Sequence, residues 1–141
     1  MTFPDNNYDK ISLYADAYFE RIRLAGASVD RTQLQSAAML LSELYARGGT
    51  LFVCGNGGSA AISGTFVADH VKSVRSDTEL APRVYSLVDN ISSVTAISND
   101  ISYEDVFSYQ LSAYAKAGDI LLTVSSSGNS GRVFLILSIL V

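Results

Sequence analysis

Cysteine and histidine are nearly absent from this sequence, which has one of each among 141 residues and no tryptophan. The single cysteine, Cys54, excludes an internal disulfide framework and a zinc site built from several thiolates of this chain. Because Cys54 lies inside an apolar run, we expect it to be an inert core residue. The single histidine, His70, excludes any mechanism in which this chain supplies two imidazoles.

Charge is also sparse, and runs of basic residues are absent. Charged residues make up 17% of the chain, and 10 Lys and Arg against 14 Asp and Glu give a formal net charge of -4. We therefore expect no nucleic-acid partner, because binding a phosphate backbone needs a concentrated basic surface. Hydrophobic residues make up 48% of the chain, so the sequence predicts one globular domain over residues 1–141.

No segment carries the signature of export or of membrane insertion. Residues 1–9 are polar and acidic, unlike a secretory signal, so we predict a cytoplasmic protein. Residues 133–141 are apolar nearly throughout, but a bilayer-spanning helix needs about 20 residues, so we expect no membrane partner. This run stops without a cap or a closing strand, which indicates a fold cut off within an element or a reading frame altered near Gly131.

Two amphipathic helices are predicted within residues 1–48. Apolar residues recur at three- and four-residue spacing from residue 8 to 25 and again from residue 34 to 45. Asp30, with Gln33 three residues later, is typical of a capping box at the start of the second helix. The Tyr- and Leu-rich surface of the pair exceeds what one small sheet needs as cover, which favours a homo-oligomer, either a dimer or a tetramer. Ordinary packing within one chain is the alternative.

Residues 49–141 are predicted to form the sheet portion of an α/β fold. Short apolar runs typical of strands buried on both faces of a parallel sheet occur at residues 50–54, 84–88 and 120–124. Helices are expected between and after the first two runs, at residues 59–73, 92–97 and 103–117. This alternation predicts a doubly wound parallel sheet, preceded by the two N-terminal helices.

A glycine-rich loop, residues 54–59, follows the first predicted strand and precedes a helix. Glycines at such a turn let backbone amides close on a ligand, and the start of the following helix favours an anion. The loop therefore suits a phosphate or a polyhydroxy chain. Its spacing matches neither the dinucleotide fingerprint nor the nucleoside triphosphate loop with its lysine, which weakens the hypothesis of a nucleotide-binding module.

A serine-rich loop, residues 125–130, follows the third predicted strand. Its four serine hydroxyls and its amides, at the start of an expected helix, can satisfy phosphate oxygens without any Arg or Lys. The alternative is simple helix capping, which needs one hydroxyl rather than four. Both loops follow strands of one parallel sheet, and open α/β sheets bind ligands at that edge.

The order and spacing of these blocks resemble the SIS (sugar isomerase) family of phosphoheptose isomerases, from about residue 11 to residue 130. The resemblance implies a flavodoxin-like sheet, a sugar-phosphate ligand and interconversion of sedoheptulose 7-phosphate with a heptose 7-phosphate. It also implies that the serine loop holds the phosphate, while the glycine loop and an Asn-Asp pair contact the sugar. The substrate-binding residues it predicts are Asn56, Gly57, Gly58, Ser59, Asn99, Asp100, Ser125, Ser126, Ser127 and Ser130.

The chain departs from the family pattern at the residues that carry the chemistry. Metal-dependent members of the family place a His and a Glu four residues apart after the glycine loop, where this chain has Thr65 and Asp69. Zinc is thus possible in the family, but we assign no metal ligand here. Asp69 and His70 are the candidate catalytic residues, because isomerisation through an enediol needs a group that moves a proton at carbon.

Two expectations follow from the resemblance for the chain as a whole. The family's last strands and its final helix, with a further Gln and His, are not found in these residues, so we expect the 141-residue chain alone to be inactive. The rival hypothesis is a non-catalytic sugar-phosphate sensor or an oligomeric adaptor of the initiator-associating type. Thr65 favours this rival, whereas Asp69 and the Asn99–Asp100 pair favour the isomerase.

Overall fold

The computed structural model describes residues 3, 4 and 6–126. The chain divides into two compact units, one ending at Met39 and the other beginning at Leu40. The boundary falls within the second helix. The predictions for residues 127–141, including those for Ser127 and Ser130, concern residues outside the described ones.

The first unit contains α1, Ile11–Ser28, and the start of α2, Arg31–Ala46. The carboxylate of Asp30 accepts hydrogen bonds from the backbone amides of Thr32, at 2.8 Å, and Gln33, at 3.4 Å, so the predicted helix start is confirmed. The Thr32 hydroxyl also donates to this carboxylate, at 2.6 Å. The hydroxyl bond is the largest of the three effects that together lower the pKa of Asp30. None of the residues of α1 is buried. Its apolar stripe is therefore covered only in part among the described residues, where Phe3 lies against Tyr14 and Tyr18, with ring centroids 5.2 and 5.6 Å apart.

The second unit is built on three parallel strands, with the order β2-β1-β3. They are β1, Thr50–Gly55, β2, Arg83–Ser86, and β3, Ile120–Val124. In the central strand β1, every residue after Thr50 is buried, because both faces of the sheet are covered. The predicted parallel sheet with helices on both faces is confirmed.

Helices cover the two faces of the sheet with different apolar clusters. On one face, Leu51 and Val53 pack with Leu44 of α2 and with Phe66 and Val67 of α3, Gly58–Asp69. The other face holds Phe52, Cys54, Leu87, Ile97, Val106, Phe107, Leu111 and Leu121, from the strands and from α5, Ile91–Asp100, and α6, Val106–Tyr114. Burial raises the pKa of the Cys54 thiol to about 12, which suits the inert core residue expected from the sequence.

Three helices differ from the prediction in their bounds. The helix expected over residues 92–97 is α5, which runs from Ile91 to Asp100. The helix expected over residues 59–73 is α3 followed by a π-helical turn, His70–Val74, and the single turn α4, Arg75–Asp77. The helix expected over residues 103–117 is a 3-10 turn, Tyr103–Asp105, and then α6, which ends at Tyr114. A turn closed by Asp119 follows α6, since the Asp119 amide bonds the Lys116 carbonyl at 3.0 Å and Gly118 adopts φ 90°.

The strand register sets the position of the loops. Gly55, the last residue of β1, pairs with Val124, the last residue of β3. The glycine loop and the serine loop therefore leave neighbouring strands at the same edge, about 4.8 Å apart where they begin. Within residues 3–126, no described helix is long and apolar enough to cross a membrane.

Candidate functional site

The turn after β1 is formed by a close backbone approach. A Cβ atom on Gly55 would lie 2.8 Å from the backbone carbon and oxygen of Ser59, so only glycine fits there. Gly57 has φ 57° and ψ -123°, a conformation that residues with a Cβ rarely adopt, and it precedes α3 with no side-chain cap. The carbonyl of the buried Ser59 accepts a hydrogen bond from Ser63 at 2.9 Å, which fixes the first turn of the helix. The sequence thus builds a tight turn in which Gly57 and Gly58 are exposed, while the amides of Ser59 and Ala60 bond the carbonyls of Asn56 and Gly57 at 3.0 Å.

Asn56 lies in the wall of a cavity of about 210 Å³ beside this turn. Its Oδ1 accepts a hydrogen bond from the Tyr103 hydroxyl at 3.0 Å. This bond orients the amide and leaves its two N–H donors for another partner. The lining of the cavity is uncharged, and comprises Gly55, Asn56, Gly57, Ala60, Val88, Ile91, Val94, Tyr103, Val106 and Phe107.

The start of the serine loop lies next to this turn. Ser125 is half-buried and Ser126 is exposed, directly after β3. Because Gly55 pairs with Val124, Asn56 and Ser125 are the first residues beyond two adjacent strand ends. Hydroxyl and amide donors therefore meet at the carboxyl edge of the sheet, where a parallel α/β fold binds ligands.

Asp69 lies in a different, shallower cavity on α3, with a volume of about 340 Å³. Thr65 and Asp69 share one helix face because they are four residues apart, and both line this cavity with Ala61, Ile62 and Phe66. The Asp69 side chain is exposed, so its carboxylate is accessible to a ligand. The structure does not bring Asp69 into the wall of the cavity beside Asn56.

His70 turns away from Asp69. Its ring stacks on Phe66, with centroids 4.1 Å apart, and lies edge-on to Tyr45 at 6.2 Å. Its Nδ1 is 2.8 Å from the carbonyl oxygen of Phe66. A carbonyl only accepts hydrogen bonds, so Nδ1 is the donor in this contact. His70 does not line either of the two cavities, and its catalytic role stays a prediction.

The residues at positions 65 and 69 do not fit the zinc site that the family resemblance implies, because Thr65 and Asp69 replace its His and Glu. The Thr65 hydroxyl donates a hydrogen bond to the Ala61 carbonyl at 3.1 Å, and a threonine hydroxyl is not a usual zinc ligand. Over the described ranges, no three His, Cys, Asp or Glu side chains come together as a metal would require.

The predicted Asn99–Asp100 pair lies in the last turn of α5 and is exposed. The Asn99 Nδ2 donates to the Asp100 Oδ1 at 2.7 Å, so the two side chains are bonded to each other. Neither residue lines the cavity beside Asn56. Their contribution to substrate binding stays a prediction.

Sequence reasoning did not assign Tyr103 to the site. It is 47 residues away from Asn56 in sequence, and only the fold brings the two together. In the sequence, a tyrosine next to Glu104 and Asp105 at a helix start is typical of an ordinary surface residue. The apolar wall formed by Val88, Ile91 and Val94 was missed for the same reason.

Comparison with known proteins agrees with this arrangement. The SIS domain matches residues 15–137. The chain belongs to the SIS-domain family. The phosphoheptose isomerase of Clostridium acetobutylicum is 40% identical over 103 residues, which cover 73% of this chain and 52% of that protein. The phosphoheptose isomerase of Desulfovibrio desulfuricans is 38% identical over 113 residues, which cover 80% of this chain and 53% of that protein.

Solved structures give the same family resemblance. The phosphoheptose isomerase of Neisseria gonorrhoeae superposes with a TM-score of 0.76 at 32% identity, covering 92% of this chain and 68% of that chain. The phosphoheptose isomerase of Francisella tularensis has a TM-score of 0.78 at 25% identity, covering 92% of this chain and 69% of that chain. The resemblance and the fold class inferred from the loops are confirmed. The chain spans about half the length of the two curated relatives.

Proposed function

We propose that this SIS-domain chain binds a sugar phosphate at the carboxyl edge of its sheet. The pairing of Gly55 with Val124 supports this most directly, because it sets the glycine loop beside the serine loop. In the proposed complex the serine loop holds the phosphate by hydroxyl and amide donors, and Asn56 binds the sugar chain. Hydrogen bonds to a charged group contribute about 1.5–3 kcal/mol each, so several of them hold a phosphate without a cation.

The ligand we propose is a heptose phosphate, because the relatives compared above are named phosphoheptose isomerases. The whole protein would then interconvert sedoheptulose 7-phosphate and an aldoheptose 7-phosphate. In this reaction a base removes a proton from the carbon next to the carbonyl, and the enediol takes a proton back on the neighbouring carbon. Asp69 is the candidate for this proton transfer because it holds the acid position that the resemblance implies, although its exposed carboxylate lines a different cavity from Asn56.

A second candidate function is a sugar-phosphate sensor or adaptor that binds without turnover. Two observations favour it. The Thr65 hydroxyl donates its hydrogen bond to the Ala61 carbonyl of its own helix. The His70 ring stacks on Phe66 and does not line the cavity of Asp69. These features remove groups that an isomerase uses, while the phosphate loops are kept.

Calorimetric titration with sedoheptulose 7-phosphate tests the binding proposal. We expect Ser125→Ala to weaken binding by about 1–3 kcal/mol. The matched control is Ser112→Ala, an exposed serine whose hydroxyl bonds its own helix at Tyr109. Equal affinity of both variants and the unchanged chain would contradict the phosphate assignment.

A turnover assay separates the isomerase from the sensor. The chain and a fusion that extends it with the remaining length of the Clostridium acetobutylicum relative are compared on sedoheptulose 7-phosphate, with Asp69→Asn and the exposed control Glu79→Gln in each. The isomerase proposal predicts conversion that Asp69→Asn reduces and Glu79→Gln does not. Tight binding without conversion in every form would support the sensor instead.

Self-association is part of the same proposal. Apolar side chains of α1 and α2 are exposed to an unusual degree for a monomer: Ile11 is 81% exposed, Phe19 66% and Leu34 57%. Light scattering is expected to report a dimer or tetramer, and Phe19→Glu is expected to shift it towards the monomer. A monomer at micromolar concentration would contradict the proposal. A cytoplasmic location stays a prediction.

A further inference from the structure

A second cavity, of about 390 Å³, lies at the opposite, amino edge of the sheet. It is formed where the three strands begin and where α6 ends. Its lining comprises Arg47, Gly48, Gly49, Thr50, Arg83, Tyr114, Lys116, Ala117, Gly118 and Asp119. The volume is in the range of small-molecule sites, which begin at about 300 Å³.

The charge of this lining is opposite to that of the chain. Arg47, Arg83 and Lys116 are cationic, and Asp119 is the carboxylate among the lining residues. The whole chain carries a formal charge of -4. Cations gathered in a chain of opposite net charge mark a place where an anion is attracted.

Asp119 does not neutralise the cations by an ion pair, because its carboxylate bonds the backbone. Oδ1 accepts from the Thr50 amide at 2.8 Å, and Oδ2 accepts from the Lys116 amide at 2.9 Å. Among the described residues, no carboxylate lies within the 4.0 Å salt-bridge distance of Arg47, Arg83 or Lys116. Three cations are thus left without an acidic partner in that part of the chain.

The fold orients two of these cations. The Arg47 guanidinium donates a hydrogen bond to the Gly118 carbonyl, so it lies across the turn before β3 and keeps its other donors. Gly118 makes this turn possible with φ 90°. Arg83 pairs with Thr50 in the sheet, which places it on the same face as Thr50, at the amino end of β2.

We propose that this amino-edge cavity is a second anion site, which takes the phosphate group of a small phosphorylated molecule. Arg47 offers a planar fork of donors to the phosphate oxygens, while Arg83 and Lys116 add charge from the two sides of β1. The site is separate from the carboxyl edge, where we propose that the sugar phosphate binds. Either inorganic phosphate or a phosphomonoester would satisfy the same chemistry.

The test is an NMR titration that follows the amide resonances of the isotopically labelled chain. It is run at about 0.15 M salt, where exposed charges more than about 8 Å apart are screened from each other. One arm uses inorganic phosphate and the other uses glucose 6-phosphate, which separates the two sources. We expect saturable shifts at Gly48, Gly118 and Asp119 in at least one arm. We expect Arg83→Gln with Lys116→Gln to weaken this binding by about tenfold or more.

The matched control is Lys10→Gln with Arg75→Gln, two exposed cations outside the cavity, and it should bind as the unchanged chain does. Ser125→Ala should also leave these shifts in place, which separates this site from the one at the carboxyl edge. Thermal melts show whether each variant is folded. If the double variant unfolds, the single variants Arg83→Gln and Lys116→Gln are titrated in its place. Shifts that do not saturate, or that persist equally without Arg83 and Lys116, would overturn the proposal.

Discussion

The two edges of the same parallel sheet offer an anion different chemistry. At the carboxyl edge, the cavity beside Asn56 has an uncharged lining, and its donors are amides and hydroxyls. At the amino edge, three cations line the cavity, and Asp119 joins two of its wall segments by bonding the Thr50 and Lys116 amides. Directed donors select a ligand by geometry, whereas charges attract anions of many shapes. The comparison indicates that specificity lies at the carboxyl edge.

The largest effect is expected where the carboxyl edge depends on glycine. In Gly55→Ala the new Cβ would lie 2.8 Å from the Ser59 backbone, so the turn must open. We expect a loss of about 1–3 kcal/mol in the free energy of unfolding and a loss of sugar-phosphate binding. The control is Gly26→Ala in α1, where the new Cβ meets nothing within 4 Å. Thermal melts and calorimetry on both variants measure this, and equal behaviour would contradict the close-approach account.

At the amino edge, we expect the stability of the fold to depend on Asp119 rather than on the three cations. Asp119→Ala removes the acceptors of the Thr50 and Lys116 amides, which join the start of β1 to the turn before β3. We expect a loss of about 1–2 kcal/mol in the free energy of unfolding, measured by urea denaturation. Asp119→Asn keeps one acceptor and should lose less. A melt unchanged by Asp119→Ala would mean that the turn does not depend on these bonds.

The smallest expected effect sharpens the account of the carboxyl edge. Tyr103→Phe removes the hydrogen bond to the Asn56 amide but keeps the ring in the cavity wall. We expect sugar-phosphate affinity to fall by about 0.5–1.5 kcal/mol, because a misoriented amide loses part of its bonding. Tyr109→Phe, another exposed tyrosine, should change nothing. If the two variants bind alike in calorimetry, Tyr103 does not orient Asn56.

The strands and the two loops were predictable because their signals are local. A short apolar run bounded by Gly118 and Ser125 predicts β3 at the residues that the structure shows. The start of β1 and the Asp30 cap followed from equally local patterns. The carboxyl edge could therefore be located before any coordinates, because parallel strands end on one side of a sheet.

The directions of the candidate catalytic side chains could not be predicted. Asp69 and His70 are neighbours in sequence, yet a helix turns about 100° per residue, and α3 passes into a π-helical turn at His70. The ring of His70 then stacks on Phe66, a contact with no separate sequence signal. The amino-edge cavity was missed because Arg47, Arg83 and Lys116 are scattered along the chain and meet only in the sheet.

The central claim, that the carboxyl edge is the sugar-phosphate site, is tested most directly by an amide-resolved titration with sedoheptulose 7-phosphate. The account predicts that saturable shifts begin at residues 55–59 and at Ser125, and that Gly55→Ala abolishes them while Gly26→Ala, outside the loop, does not. Shifts that arise only at other parts of the sheet, with residues 55–59 and Ser125 unchanged at saturation, would contradict it.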